Sequence, residues 1–165
     1  AGNCPAAASE MSANAFRSVV DIDLNGTFNA CRASYEHFAD ADSTITAISA
    51  THSEEAIPFQ SHACAAKAGV ESLVRTLSVE WGDDNIRVNA VQPGPIDETE
   101  GMKRLAPDEE SRRQLADALP AGRLGTKEDV AELILYLVSP AASFVTGAVI
   151  PVDGGLKQVG TGSMF

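Results

Sequence analysis

Residues 61–95 read SHACAAKAGVESLVRTLSVEWGDDNIRVNAVQPGP, and this run decides the fold. Its first part is alanine-rich and places Val70, Leu73, Val74 and Leu77 on one stripe, which predicts a long amphipathic helix over 61–81. Gly82-Asp83-Asp84-Asn85 is a turn, Ile86–Val91 (IRVNAV) is a strand, and Pro93-Gly94-Pro95 stops it. Upstream, Ser43–Ser49 (STITAIS) alternates and predicts a strand, with a polar loop after it. Further upstream, Ser12 is an N-cap, and Phe16, Val19, Val20, Leu24, Phe28 and Cys31 recur at helical spacing. Gly26 interrupts that helix at a cost of about 1 kcal/mol relative to alanine, so it is expected to mark close packing against a neighbour. Downstream, 97–125 is polar and irregular with one helix between Pro107 and Leu119. Thr126-x-x-Asp129 opens a helix through Val138, and Gly147–Val152 (GAVIPV) is a last strand before Asp153-Gly154-Gly155. Helix and strand alternate with long connections, so the strands should be parallel in an α/β sheet.

Composition narrows the functional classes. The chain has 165 residues, one domain's worth (1–165), with 12 Lys+Arg against 23 Asp+Glu and a net charge of −11. Hydrophobic residues make up 44% and charged residues 21%, which suits a folded core rather than a disordered chain. The acidic balance argues against nucleic acid as a partner, because phosphate contacts need clustered Lys and Arg. No apolar run approaches the roughly 20 residues of a membrane helix. Cys4, Cys31 and Cys64 lack C-x-x-C spacing and read as free thiols, and no His/Cys/Asp group has metal-ligand spacing, so no metal is expected.

Five motifs stand in order along the chain. They are Ala1-Gly2-Asn3, Asp21-Ile22-Asp23-Leu24-Asn25-Gly26, Lys67 on the long helix, Asn89-Ala90-Val91-Gln92-Pro93-Gly94-Pro95-Ile96, and Val152-Asp153-Gly154-Gly155. Together they resemble the C-terminal part of a short-chain dehydrogenase/reductase, a Rossmann-like, doubly wound parallel sheet. The glycine-rich turn of that family precedes the Ala-Gly-Asn motif, so the resemblance implies a chain lacking its N-terminal strands. Such a chain taken alone is expected to bind cofactor poorly, to be inactive and to aggregate.

Departures from the family pattern are as informative. Ala63 stands where most members have a Tyr four residues before the Lys, Ala50 stands at the usual Ser position, and Asp23 replaces the usual Asn. This set resembles the peroxisomal 2,4-dienoyl-CoA reductases, in which a Lys and an Asp take over from Tyr-Lys-Ser. Asn25 leaves a second option open, because it resembles an active-site Asn of the mitochondrial dienoyl-CoA reductases. A tyrosine hydroxyl suits alcohol chemistry by passing a proton to a substrate oxygen, so Ala63 disfavours a carbonyl or alcohol substrate. A 2,4-dienoyl thioester needs only donors for a developing dienolate oxygen and an acid for its α-carbon.

The resemblance implies Asp23 and Lys67 as catalytic residues. It implies Gly2, Asn3, Lys67, Pro93, Gly94, Pro95, Ile96 and Thr99 as contacts of NADPH, and Cys4, Ser12, Asn14, Asn25 and Arg104 as contacts of an acyl-CoA substrate. Paired charges about 4 Å apart attract by roughly 4 kcal/mol at an effective dielectric of 20, so Asp23 is expected to pair with Lys67. His62 and Cys64 read as structural. The implied activity is NADPH-dependent reduction of a 2,4-dienoyl-CoA to a 3-enoyl-CoA in unsaturated fatty acid β-oxidation. The alternatives are another short-chain reductase acting on an enoyl or carbonyl group, or a non-catalytic scaffold. Two long helices, about 12–35 and 60–82, resemble those that pair between subunits in this family. With apolar surface expected to remain on the second, they imply a homo-oligomer, dimer or tetramer. Resemblance points to the peroxisome, or to the cytoplasm for a bacterial chain, although Ser163-Met164-Phe165 is not an S-K-L-type signal.

Overall fold

Three strands, Ser43–Ile48 (β1), Ile86–Pro93 (β2) and Val149–Val152 (β3), pair in parallel in the order β1-β2-β3. The computed structural model describes residues 5–38 and 42–160. Ser43 lies opposite Ile86 and Ile48 opposite Val91, while Ala90–Pro93 pairs with Val149–Val152. The helices are Ala13–Val20 (α1), Gly26–Tyr35 (α2), Ser61–Glu80 (α3), Glu100–Leu105 (α4), Glu109–Ala118 (α5), Lys127–Val138 (α6) and Leu156–Val159 (α7). The parallel α/β architecture expected from the alternation of elements is therefore observed. Among the described residues no strand pairs with the outer edge of β1, and the buried Thr44 Oγ1 and Thr46 Oγ1 have no hydrogen-bond partners.

Strand β2 is buried on both faces, as the middle strand of a covered parallel sheet must be. On one face Ile86, Val88 and Ala90 pack with Val70, Val74 and Leu77 of α3 and with Cys31 of α2. On the other, Val91 packs with Leu137 of α6 and Ala142. Each of these Val, Leu and Ile side chains contributes about 1.5–3 kcal/mol by leaving water. Arg87 and Asn89 lie on the α6 side and tie the sheet to it. The Arg87 guanidinium donates to Leu137 O (2.9 Å) and Val145 O (3.2 Å), and Asn89 Nδ2 donates to Val145 O (2.9 Å). Asn89 Oδ1 accepts from Ala148 N (3.0 Å), which seats the chain entering β3.

The structure corrects three expectations. Val70, Val74 and Leu77 all bury in the chain's own core, so α3 keeps no broad apolar stripe for a partner; its conspicuous exposed apolar residue is Val79. Gly26 is not a point of close approach, since a Cβ there would meet only Asp21 O at an ordinary 3.6 Å. That role belongs to Gly69, whose added Cβ would lie 2.7 Å from Leu24 Cδ2. Finally, 97–125 holds two helices rather than one. Thr99 caps α4 by accepting from Met102 N (3.3 Å), and Met102 and Ala106 bury against Leu115.

Candidate active site

The helix from Ala13 to Tyr35 is continuous but not uniform, because one π-helical turn over Asp21–Asn25 separates α1 from α2. Val19, Asp23, Thr27 and Cys31, spaced by four, run along its inner side. In a straight α-helix four residues overshoot one turn by about 40°, so such a stripe would drift out of the core. The wider π turn absorbs that drift, and π turns often occur at functional sites. Thr27 Oγ1 donates to the carbonyl of Asp23 (2.6 Å), satisfying an oxygen at the turn. The Asp23 side chain is thereby buried, with 8% of its surface exposed.

Opposite it, α3 presents Lys67, whose side chain is 15% exposed. Its Nζ lies 3.9 Å from Asp23 Oδ2 and donates to Ile48 O at the end of β1 (3.0 Å). Coulomb attraction at that separation is about 4 kcal/mol at an effective dielectric of 20, before the cost of desolvating both charges. Ala63, one helical turn before Lys67, is buried, and Ala50 opens the 3₁₀ turn Thr51–Ser53. Neither position carries a hydroxyl. The neighbouring Ser49 is buried and donates its own hydroxyl to Glu71 (2.6 Å).

Two histidines border this pair. His52, on the 3₁₀ turn, and His62, in the first turn of α3, have buried nitrogens (Nε2 and Nδ1) without hydrogen-bond partners among the described residues. Burial, and then the nearby Lys67 ammonium, hold His52 below its ordinary value of 6.5, so its imidazole is neutral at pH 7.

The other expected site residues fall into three groups. Gly2, Asn3 and Cys4 lie outside the described residues. Pro93 ends β2, and Gly94, Pro95 and Ile96 follow it beside the Asp153 turn: Gly94 N donates to Val152 O (2.9 Å) and Pro95 O accepts from Gly125 N (2.9 Å). Thr99 closes this loop, but its hydroxyl already donates to Ile96 O (2.8 Å) while capping α4, so only acceptor capacity remains for a cofactor amide. The third group comprises Ser12, Asn14, Asn25 and Arg104. Ser12 is the N-cap of α1 and accepts from Ala15 N (3.1 Å), and Asn14 is exposed in its first turn. Asn25 is exposed and donates to Asp21 Oδ1 (2.7 Å), so of the two candidates in the π turn it is Asp23 that meets Lys67. Arg104 is exposed in the last turn of α4, where Lys103, by hydrogen bond and charge, lowers the pKa of Glu100 and the Arg104 charge adds a smaller part.

Sequence reasoning missed a second buried polar group behind Lys67. Glu71, one turn further along α3, has a 3% exposed side chain and accepts from Ser49, Ser53 and Gln92. Its spacing from Arg75 is that of a surface ion pair, yet Arg75 is 54% exposed and 3.5 Å away, while the inner oxygen Oε1 takes the buried bonds. The available signal was the position of Glu71 beside Val70 and Val74 on the inward stripe.

Among the described residues no group of three or more His, Cys, Asp or Glu could hold a metal, and no helix is long and apolar enough to cross a membrane. Residues 1–157 match the family model described as Enoyl-(Acyl carrier protein) reductase. Over 161 residues the chain is 47% identical to a peroxisomal 2,4-dienoyl-CoA reductase, (3E)-enoyl-CoA-producing, of Saccharomyces cerevisiae, covering 98% of this chain and 55% of the relative. The corresponding enzyme of Pongo abelii is 49% identical over 158 residues, 94% of this chain and 53% of its own. Among solved structures, a short-chain dehydrogenase from Bacillus anthracis superposes with a TM-score of 0.83 at 39% identity, covering 94% of this chain and 61% of that one. A gluconate 5-dehydrogenase from Burkholderia cenocepacia, in complex with NADP and tartrate, gives 0.88 at 29% identity, covering 96% and 62%. The chain spans about half the length of the curated relatives it matches. The motif order, the parallel sheet and these matches agree, and the chain belongs to the short-chain dehydrogenase/reductase family.

Proposed function

We propose that this chain carries the Asp23–Lys67 half of the active site of an NADPH-dependent 2,4-dienoyl-CoA reductase that yields a 3-enoyl-CoA. One observation carries this reading: a buried Asp and a Lys stand 3.9 Å apart where the Tyr and Ser positions of the family hold Ala63 and Ala50. The donor set fits a nicotinamide cofactor. An ammonium has three N–H donors, and Lys67 spends one on Ile48 O and turns toward Asp23, leaving capacity for ribose hydroxyls. When bound, the reduced nicotinamide supplies a hydride to the far end of the conjugated diene.

Lys67 then places a positive charge near the developing dienolate and holds Asp23 in register. Asp23, with its carboxylate at the inner wall of the π turn, orients the water or acid that protonates the α-carbon, giving the 3-enoyl product. Ala63 and Ala50 leave no hydroxyl that would direct protonation to a carbonyl oxygen. The loop Pro93–Ile96 lines the nicotinamide side, with Thr99 bracing it from below. Arg104 on α4 is suited to a CoA phosphate through charge-assisted bonds. Relatives named as peroxisomal support that compartment, and exposed Phe16, Ile22 and Phe28 on the α1–α2 helix support a homo-oligomer that uses this helix.

The test is NADPH oxidation by full-length protein with 2,4-hexadienoyl-CoA. Asp23→Ala and Lys67→Ala should each lower turnover by about 100-fold or more, within the range of lost acid–base catalysis, with circular dichroism unchanged. Ketone reduction without dienoyl reduction would replace this reading with a carbonyl reductase, and failure to bind NADPH would favour a scaffold.

A further inference from the structure

Behind Lys67 lies a continuous hydrogen-bond network, buried at Glu71 and Gln92 and reaching the surface at Glu54, that the proposed chemistry does not use. Glu71 Oε1 accepts from Ser49 Oγ (2.6 Å), from Ser53 Oγ and from Gln92 Nε2 (2.7 Å). Gln92, fully buried in β2, shares its two N–H groups among Glu71, Ser53 Oγ (2.9 Å) and Glu54 Oε1 (3.2 Å), and its Oε1 accepts from Lys157 Nζ of α7 (3.0 Å). Lys157 Nζ donates in turn to Glu54 Oε2 (2.8 Å). Three segments, the end of β1, the 3₁₀ turn and the end of β2, therefore converge on one carboxylate of α3, and α7 joins them through Gln92.

Each end of this network touches a part of the site. Ser49 follows Ile48, whose carbonyl receives the Lys67 ammonium, and Ser49 N donates to Val91 O (2.8 Å). Gln92 immediately precedes Pro93–Ile96. A carboxylate with 3% exposure is costly to bury unless its lone pairs are filled, and here three donors fill one oxygen. Moving Ser49 or Gln92 would break those bonds, so the network resists sliding of β1 against β2 at the site.

We propose that Glu71, acting with Gln92, is a positioning residue that fixes the spacing between the Lys67 ammonium and the Pro93–Ile96 loop. This rests on the site reading given above, but one arm of its test does not need turnover. In Glu71→Met the acceptor of three donors is gone, whereas Glu71→Gln keeps an oxygen in place. Hydrogen exchange on the full-length protein should show the amides of Ser53, Glu54 and Glu55, which close the 3₁₀ turn, exchanging about tenfold faster in Glu71→Met. The amides of Val88 and Ala90 should stay within about threefold of wild type, and Glu71→Gln should restore the slow rates. In steady-state assays Glu71→Met should lower kcat about tenfold with KM for the dienoyl-CoA changed less than about threefold, and Glu71→Gln should recover it. Should Glu71→Met not fold, the pair Ser49→Ala and Ser53→Ala cuts the same links from the turn side and carries the same expectation. Unchanged exchange in a folded Glu71→Met, or a Gln variant as impaired as the Met variant, overturns the proposal. A wild-type protein inactive on dienoyl-CoA overturns the assigned reaction instead, and the exchange arm still decides the positioning role.

Discussion

Gly94→Ala isolates the contact on which the loop after β2 rests. A Cβ at Gly94 would lie 2.6 Å from Asp153 Cα, 2.8 Å from its Cβ and 3.1 Å from its O. Carbon atoms pack at about 3.5–4.0 Å, so the overlap is roughly 1 Å against backbone, which cannot swing aside as a side-chain tip can. Relief requires separating the end of β2 from the Asp153 turn, stretching the Gly94 N–Val152 O bond of 2.9 Å. Overpacking of this kind costs about 2 kcal/mol, and a weakened hydrogen bond adds about 1 kcal/mol. Gly94 is not in the left-handed region, so alanine also stiffens the unfolded chain and returns about 0.5–1 kcal/mol. The clash wins by about 2 kcal/mol, which lowers Tm by about 4–8 °C for a chain of this size. Gly82→Ala is the control: nothing lies within 4 Å of its added Cβ and its φ is also ordinary, so only the stiffening remains and Tm should hold or rise slightly. Differential scanning calorimetry on both variants measures the pair. Equal Tm values for Gly94→Ala and Gly82→Ala would refute the close approach to Asp153.

Acid should act through His52 before it acts through the carboxylates. Because burial and Lys67 lower its pKa below 6.5, the unfolded chain binds that proton more readily. Its contribution is therefore complete above pH 6.5 and is lost as pH falls through the lower folded value, and urea titrations between pH 7 and 5 on His52→Asn should show a flatter profile than wild type. Thr126→Ala removes the α6 cap, in which Thr126 Oγ1 accepts from Asp129 N (3.2 Å) while Asp129 Oδ2 accepts from Thr126 N (2.7 Å). The loss should be about 1 kcal/mol by urea denaturation, and Thr126→Ser should recover most of it. Ala63→Tyr should not raise dienoyl-CoA reduction in an NADPH assay, since a ring must be forced into a position with 2% exposure and adds a hydroxyl the reaction does not need. A faster Ala63→Tyr enzyme would show that the vacant position limits turnover.

Local chemistry carried much of this molecule in its sequence. The Thr126–Asp129 capping box, the turn ending at Asn85 in the left-handed region, the alternation of β1 and the β-rich run of β2 depend on neighbours within a few residues, which any reader of the chain can see. The five ordered motifs likewise identify the family, and resemblance to its dienoyl-CoA reductases, carried by Asp23, Ala63 and Lys67, implied paired charges in place of a hydroxyl. The short helix α4 escaped because a six-residue helix is too brief to show a period, even with Thr99 and Glu100 at its start. What the sequence alone did not determine depends on distant partners. Leu24 against Gly69 seats the π turn on α3, and that turn keeps Asp23 on the inner side of a helix whose apolar period would otherwise send Phe16 and Phe28 inward; both are exposed. Glu71 looks like half of a surface pair with Arg75 until Ser49 and Gln92, 22 and 21 residues away, arrive to fill its oxygen. A charge can be buried only where donors from other segments meet it, and that meeting exists only once α3 has docked on the sheet.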